Sequence, residues 1–231
     1  MAQPNLFGTL CIRADAGELQ GIGHVMRCLA LAQAWQDRGG MVLFITATKT
    51  PALLDRLASE GCKLQLLKAV PASVDDAAET SALAVKAGAA WIVVDGYQFN
   101  ADYLRALKAD SRTLFVVDDF ACGGLADADL VLNQNLRAET AMDAGLVDRN
   151  QMLGSRFALL RREFRSPGTP ARAGSAESPQ RASRIVVTFG GSDPGNVTGR
   201  VLELLAGFRD WRLQITVLVG PANPHRSDLA S

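Results

Sequence analysis

Two histidines occur in the chain, and one of them, His24, stands where chemistry can be expected. An apolar run ends in Arg13 and Asp15, a loop follows, and Gly21-Ile22-Gly23 delivers His24 to the start of a helical pattern that carries Arg27 on its first turn. Open parallel sheets place their binding crevices at the carboxyl ends of strands, beside such turns. Free amides at a helix mouth favour anions. An imidazole there could act as a general base. It could equally cap or pack the helix start, and the residues alone leave both readings open. The turn lacks the third glycine of a dinucleotide fingerprint, and no Gly-Lys-Ser/Thr phosphate loop occurs, which argues against a nicotinamide enzyme or a kinase. Cys28 lies one helical turn from His24 and could share a metal with it. No third ligand is evident nearby, so burial is the better account of Cys28.

Other predicted strand ends are polar as well. Asp95-Gly96-Tyr97, Asp118-Asp119 and Asn133-Gln134-Asn135 each follow an apolar run. A single such end is usually a cap or turn. Several on one sheet edge suggest a binding cleft. Further on, Gly190-Gly191-Ser192-Asp193-Pro194, with Asn196 close behind, lets phosphates approach the backbone or simply turns a strand into a helix.

The elements that must position these residues alternate. Apolar runs predict strands at Thr9–Arg13, Met41–Ala47, Lys63–Leu67, Trp91–Asp95, Thr113–Asp118 and Leu130–Asn133. Helical patterns lie at His24–Arg38, Ala52–Glu60, Asp75–Ala87 and Ala101–Lys108, with apolar helical spacing again near the end of Gln151–Phe164. Alternation of this kind implies an α/β fold with a parallel sheet, Rossmann-like, over residues 1–165. Residues 166–183, rich in Pro, Gly, Ser and Ala, read as a flexible linker. A second unit starts at 184, with strands Arg184–Phe189 and Leu213–Val219 around a helix Val197–Phe208. Two strands and one helix fall short of a domain, so this second unit is expected to be truncated: either the chain is a fragment, or a partner supplies the remainder.

Composition narrows the classes. The 48% hydrophobic and 21% charged residues are those of a globular protein, and Lys plus Arg equals Asp plus Glu at 24 each. No net field draws the chain to nucleic acid or an anionic membrane, so neither is expected as a partner. The four cysteines form no Cys-x-x-Cys pair. With no secretory signal in MAQPNLFGTL, this leads to a cytoplasmic expectation.

IRADAGELQGIGHVMRCLALAQAW, VVDGY, VVDDFA, LVLNQN, LGSRFALLRREF and VTFGGSDPGNVT, in that order, resemble the UDP-sugar hydrolases of the pseudaminic acid pathway and related spore-coat polysaccharide biosynthesis proteins. The resemblance implies a glycosyltransferase-B-like fold of two Rossmann-type domains. It also implies hydrolysis of UDP-2,4-diacetamido-2,4,6-trideoxy-β-L-altropyranose to free sugar and UDP, with no cofactor and no metal. The family's catalytic base falls on His24 and its sugar-site tyrosine on Tyr97. With Tyr97, the sugar side is expected to draw on Arg13, Asp15, Gly21, Gly23, Arg27, Asp95, Asp118, Asp119, Asn133 and Asn135. The nucleotide side is expected at Gly190, Gly191, Ser192, Asp193 and Asn196. The chain departs from the family's Asp-His-Tyr at Gly96, and a later segment with most of the nucleotide contacts is expected to be missing. Alternatives are a UDP-sugar glycosyltransferase of the same fold and a non-catalytic sugar-nucleotide-binding fragment.

Overall fold

Runs that are apolar at consecutive positions, such as WIVVD and TLFVV, must be covered on both faces, and the fold covers them. The computed structural model describes residues 7–17, 21–108, 112–119, 125–136, 138, 150–165, 183–208, 213–220 and 223–230. The chain divides into two compact units, one of Met1–Asp15 with His24–Arg165 and one of Ala16–Gly23 with Ser166–Ser231. The expected linker lies, except for Ser183, outside the described residues.

The first unit is a seven-stranded parallel sheet: β1 (Thr9–Ala14), β2 (Met41–Thr46), β3 (Lys63–Leu66), β4 (Ala89–Asp95), β5 (Thr113–Val117), β6 (Leu130–Asn133) and β7 (Asn150–Leu153). Its order is β3-β2-β1-β4-β5-β6-β7, so strand order reverses between β1 and β4, where Ala14 pairs with Asp95. Four helices make the crossovers: α1 (Gly23–Gln36), α2 (Pro51–Ser59), α3 (Val74–Lys86) and α4 (Ala101–Lys108). Pro51 opens α2, and the Ser73 hydroxyl caps α3 by accepting from the Asp76 amide at 3.1 Å.

One element differs from the sequence reading. Asn150–Leu153 is a strand, paired in register from Leu130↔Asn150 to Asn133↔Leu153; a 3-10 turn follows at Ser155–Phe157, and α-helix is confined to α5 (Arg162–Arg165). Pairing with the exposed edge of β6 overrides the local pattern.

Right-handed crossovers put α1 and α2 on one face of the sheet and α3 and α4 on the other. The second face packs Cys11, Ile92, Val94, Leu114 and Val116 against Ala77, Ala84, Leu104 and Leu107. Arg13 has the parity of Cys11 and is therefore directed into this layer. It is fully buried there, with Nε and Nη2 donating to Asp76 at 3.0 and 2.8 Å and Nη1 donating to Asp15 at 2.6 Å. Asp76 also accepts from the Tyr103 hydroxyl, the Thr80 hydroxyl and the Ala72 amide. Burial alone would raise the Asp76 carboxyl, but the Arg13 hydrogen bonds and charge outweigh it and hold it below the ordinary value. Its stabilisation is therefore fully present above pH of about 3.9 and is lost as pH falls through the lower native value. Asp76→Ala, which leaves the buried guanidinium with Asp15 as its one carboxylate, should cost roughly 3–5 kcal/mol by urea unfolding at neutral pH, and less at pH 3.

The second unit contains β8 (Arg184–Thr188), α6 (Val197–Ala206) and β9 (Gln214–Leu218), a parallel strand–helix–strand with Arg184 opposite Gln214 and Thr188 opposite Leu218. The turns that follow β8 and β9 meet closely. A Cβ at Gly220 would overlap the Gly190 and Gly191 carbonyl oxygens. Gly220→Ala should thus destabilise this unit by about 1–3 kcal/mol, read as a lower urea midpoint.

Candidate functional site

The reversal of strand order between β1 and β4 creates the crevice that such sheets use for ligands. The loop after β1 leads into α1, whose second residue is His24, and β4 ends at Asp95 on the adjoining strand. Side chains more than 70 positions apart in sequence meet there: His24 Nδ1 lies 2.7 Å from Asp95 Oδ1. Both residues are buried, at 4% and 0% exposure.

Asp95 is saturated. Oδ1 accepts from His24 Nδ1 and from Arg27 Nη2 at 2.6 Å, while Oδ2 accepts from Arg27 Nε at 2.6 Å and from the Cys28 thiol at 3.3 Å. Burial would raise this carboxyl, yet the hydrogen bonds from Arg27 and His24 and the Arg27 charge hold it below its usual value. An anionic Asp95 at 2.7 Å requires the proton on His24 Nδ1. Arg27 Nη2 also lies 3.1 Å from that nitrogen, but it gives its proton to the carboxylate, the stronger acceptor. In the neutral imidazole the tautomer is thereby set, with the lone pair on Nε2. Among the described residues Nε2 has no hydrogen-bond partner.

A second carboxylate joins from β5. Arg27 Nη1 donates to Asp119 Oδ2 at 2.5 Å, and the Tyr97 hydroxyl donates to the same oxygen at 3.2 Å. Asn135 Nδ2 donates to Asp119 Oδ1 at 3.3 Å, and Asn133 Nδ2 donates to the Asp119 carbonyl, also at 3.3 Å. The Tyr97 ring stands edge-on to the His24 ring, with centroids 4.5 Å apart. Burial and the nearby Asp119 charge raise the Tyr97 phenol above its ordinary value, so it donates as a neutral hydroxyl. Burial and the Asp95 charge raise the Cys28 thiol, which suits its role as a donor. Asp118 follows β5 directly and, with Tyr97 and Phe99, lines a small cavity of about 30 Å³.

His24, Arg27, Asp95, Tyr97, Asp119, Asn133 and Asn135 are therefore gathered at the ends of β4, β5 and β6. Arg13 and Asp15 belong to the separate buried network of the opposite face, where Asp15 also accepts from the Thr46 hydroxyl and the Ala47 amide. Gly21 forms an isolated bridge with Gly17, and Gly23 opens α1. Gly96 has a physical reason of its own. A Cβ there would come within 2.9 Å of Phe99 Cε2 and 2.6 Å of Gln98 Oε1, and Phe99 lies over the Arg13 guanidinium at 5.0 Å.

In the second unit, Asp193 accepts from the amides of Val197 and Thr198 at 2.8 and 2.9 Å, and Asn196 accepts from that of Gly199 at 3.1 Å. Both side chains cap α6. Gly190, Gly191 and Ser192 form the turn before them, with Gly190 at a φ of 80°.

Asp76, Tyr103 and Gln98, which order the Arg13 side of the sheet, escape the sequence reading. Asp76 carries the one available signal, a position three residues after Ser73 that reads as an ordinary helix start. Among the described residues, no cluster of three or more His, Cys, Asp or Glu is placed to hold a metal ion. No helix there is long and apolar enough to cross a membrane.

No protein-family model matches the chain. An uncharacterized protein of Methanocaldococcus jannaschii is 23% identical over 224 residues, which are 95% of this chain and 44% of that protein. The chain thus spans less than half the length of the curated relative it matches. A glycosyltransferase from Rickettsia africae superposes with a TM-score of 0.56 at 12% identity, over 93% of this chain and 69% of that one. LpCGTa, solved in complex with UDP, gives 0.52 at 15% identity, over 96% and 72%. Likeness at this identity establishes architecture: an α/β, Rossmann-type fold of the glycosyltransferase-B kind.

Proposed function

We propose that the chain carries the catalytic-base portion of a UDP-sugar hydrolase, one that cleaves a UDP-linked 2,4-diacetamido-2,4,6-trideoxy sugar to free sugar and UDP. The observation that carries this reading is the His24–Asp95 pair. A buried carboxylate fixes the imidazole tautomer and leaves Nε2 as a proton acceptor at the strand-order reversal. The motif resemblance supplies the substrate class, and a structural neighbour solved with UDP agrees with it.

In this mechanism a water donates a proton to His24 Nε2 while its oxygen attacks the anomeric carbon. The bond from that carbon to the β-phosphate oxygen breaks, and UDP leaves with the electron pair. Asp95 then faces an imidazolium whose charge it balances. Tyr97, Asp118, Asp119, Asn133 and Asn135 are the groups assigned to the sugar's hydroxyl and acetamido substituents. Arg13, Asp15, Gly21 and Gly23 shape the loop and strand end that present the base. Gly190, Gly191 and Ser192 remain the proposed nucleotide contacts, with Asp193 and Asn196 holding the helix behind them. No step calls for a metal.

A transferase that deprotonates an acceptor hydroxyl in place of water is the second reading, favoured by the neighbour named a glycosyltransferase. Incubation of the full chain with UDP-sugars and no acceptor separates the two. Release of UDP and free sugar in equal amounts supports the hydrolase. Release only when an acceptor is added supports the transferase. Binding measured by calorimetry without release in either case makes the chain a non-catalytic binder.

A further inference from the structure

The contacts around the base close on themselves. His24 Nδ1 donates to Asp95, and Asp95 accepts the paired Nε and Nη2 donors of Arg27. Arg27 Nη1 crosses to Asp119, Asp119 accepts from the Tyr97 hydroxyl, and the Tyr97 ring returns to His24. Five side chains from α1 and from the ends of β4 and β5 thus form one ring. Arg27 is the member that spans its two halves.

We propose that Arg27 is a positioning residue: a charge bridge between Asp95 and Asp119 that fixes Tyr97 against His24, and not a ligand of the sugar nucleotide. This rests on the reading of His24 as the base. Each of the three guanidinium nitrogens already donates to a carboxylate, and the side chain is only 12% exposed. That leaves the fork committed before any substrate arrives. A planar guanidinium can hold one carboxylate in two-point contact and reach a second, whereas an ammonium offers a single point charge. The balance of charge has the same logic. Asp95 and Asp119 against Arg27 leave the cluster one negative charge while His24 is neutral, and the proton gained in the reaction cancels it. Among the described residues, the charged and titratable groups in contact within this assembly are His24, Arg27 and Cys28 from α1, Asp95 and Tyr97 from the end of β4, and Asp119 from the end of β5.

The test uses Arg27→Lys and Asp119→Asn in the full chain. Both should lower kcat by roughly 10–100-fold, as when a group that orients a reacting residue is lost, and Arg27→Lys, which removes no proposed sugar contact, should change KM by less than about threefold. A raised KM with unchanged kcat in Arg27→Lys would instead make Arg27 a substrate ligand and overturn the proposal. A second readout needs no turnover. With only two histidines, ¹⁵N-histidine labelling resolves His24 from His225. The wild type should show a protected Nδ1–H and a nuclear Overhauser contact to the Tyr97 ring, and both variants should lose the ring contact. Retention of that contact in both variants sinks the positioning role. If the wild type releases no UDP but the contact responds as expected, the hydrolase reading fails and the positioning role stands. Should Arg27→Lys fail to fold, Asp119→Asn keeps the Arg27–Asp95 pair and decides the matter alone.

Discussion

His24→Gln should reduce UDP release from a UDP-sugar by roughly 10²–10⁴-fold, the usual worth of a positioned general base. Glutamine is close to histidine in length, and its amide can still donate to Asp95, so the buried carboxylate keeps a partner. The oxygen it offers in place of Nε2 cannot take up a proton in neutral solution. The variant should therefore fold with a urea midpoint near that of the wild type and bind the sugar nucleotide with little change, as calorimetry would show. Loss of rate with retained binding is the signature of a group that acts in the transition state. Near-normal UDP release by this variant would remove His24 from the mechanism.

Asp95→Asn should combine the largest loss of stability in the site with a comparable loss of rate. The wild-type carboxylate accepts hydrogen bonds from His24, Arg27 and Cys28 and is fully buried. An amide presents two N–H groups to neighbours that are themselves donors, and it leaves the Arg27 charge short of its buried partner. Breaking one side of such a pair costs about 3–5 kcal/mol. The amide would also donate to His24 Nδ1, which moves the imidazole proton to Nε2, the wrong nitrogen for a base facing water. Stability against pH gives an independent check. Burial opposes ionisation of Asp95, but Arg27 and His24 hold its pKa below the ordinary value. Its contribution is present above pH of about 3.9 and is lost as pH falls through the lower folded value. The variant lacks this dependence, so its urea midpoint should vary less than that of the wild type between pH 5 and pH 2.

Most of the sheet was legible from short apolar runs separated by helical patterns, because a strand covered on both faces needs a run such as WIVVD. β7 was not, since Asn150–Leu153 alternates weakly and owes its conformation to the edge of β6. The site was half legible. His24, Asp95, Tyr97, Asp119, Asn133 and Asn135 could be named because parallel strands bring their carboxyl ends to one edge. Which acid serves which base depends on strand order, and the adjacency of β1 and β4 is a long-range fact. Arg13 and Asp15 show the limit of the argument. Strand-end arginine and aspartate look like ligand groups, but side-chain parity turns Arg13 into the layer under α3 and α4, where Asp76 waits for it. Asp193 and Asn196 show the same limit at a helix start, because a capping side chain and a phosphate-binding one share a sequence signature.

The central claim is that His24 directs water at the anomeric carbon of a UDP-sugar, and turnover in ¹⁸O-enriched water tests it most directly. Mass spectrometry of products quenched early should find the label at C1 of the free sugar and none in the UDP. Label in the β-phosphate of UDP would mean attack at phosphorus, and would contradict the account.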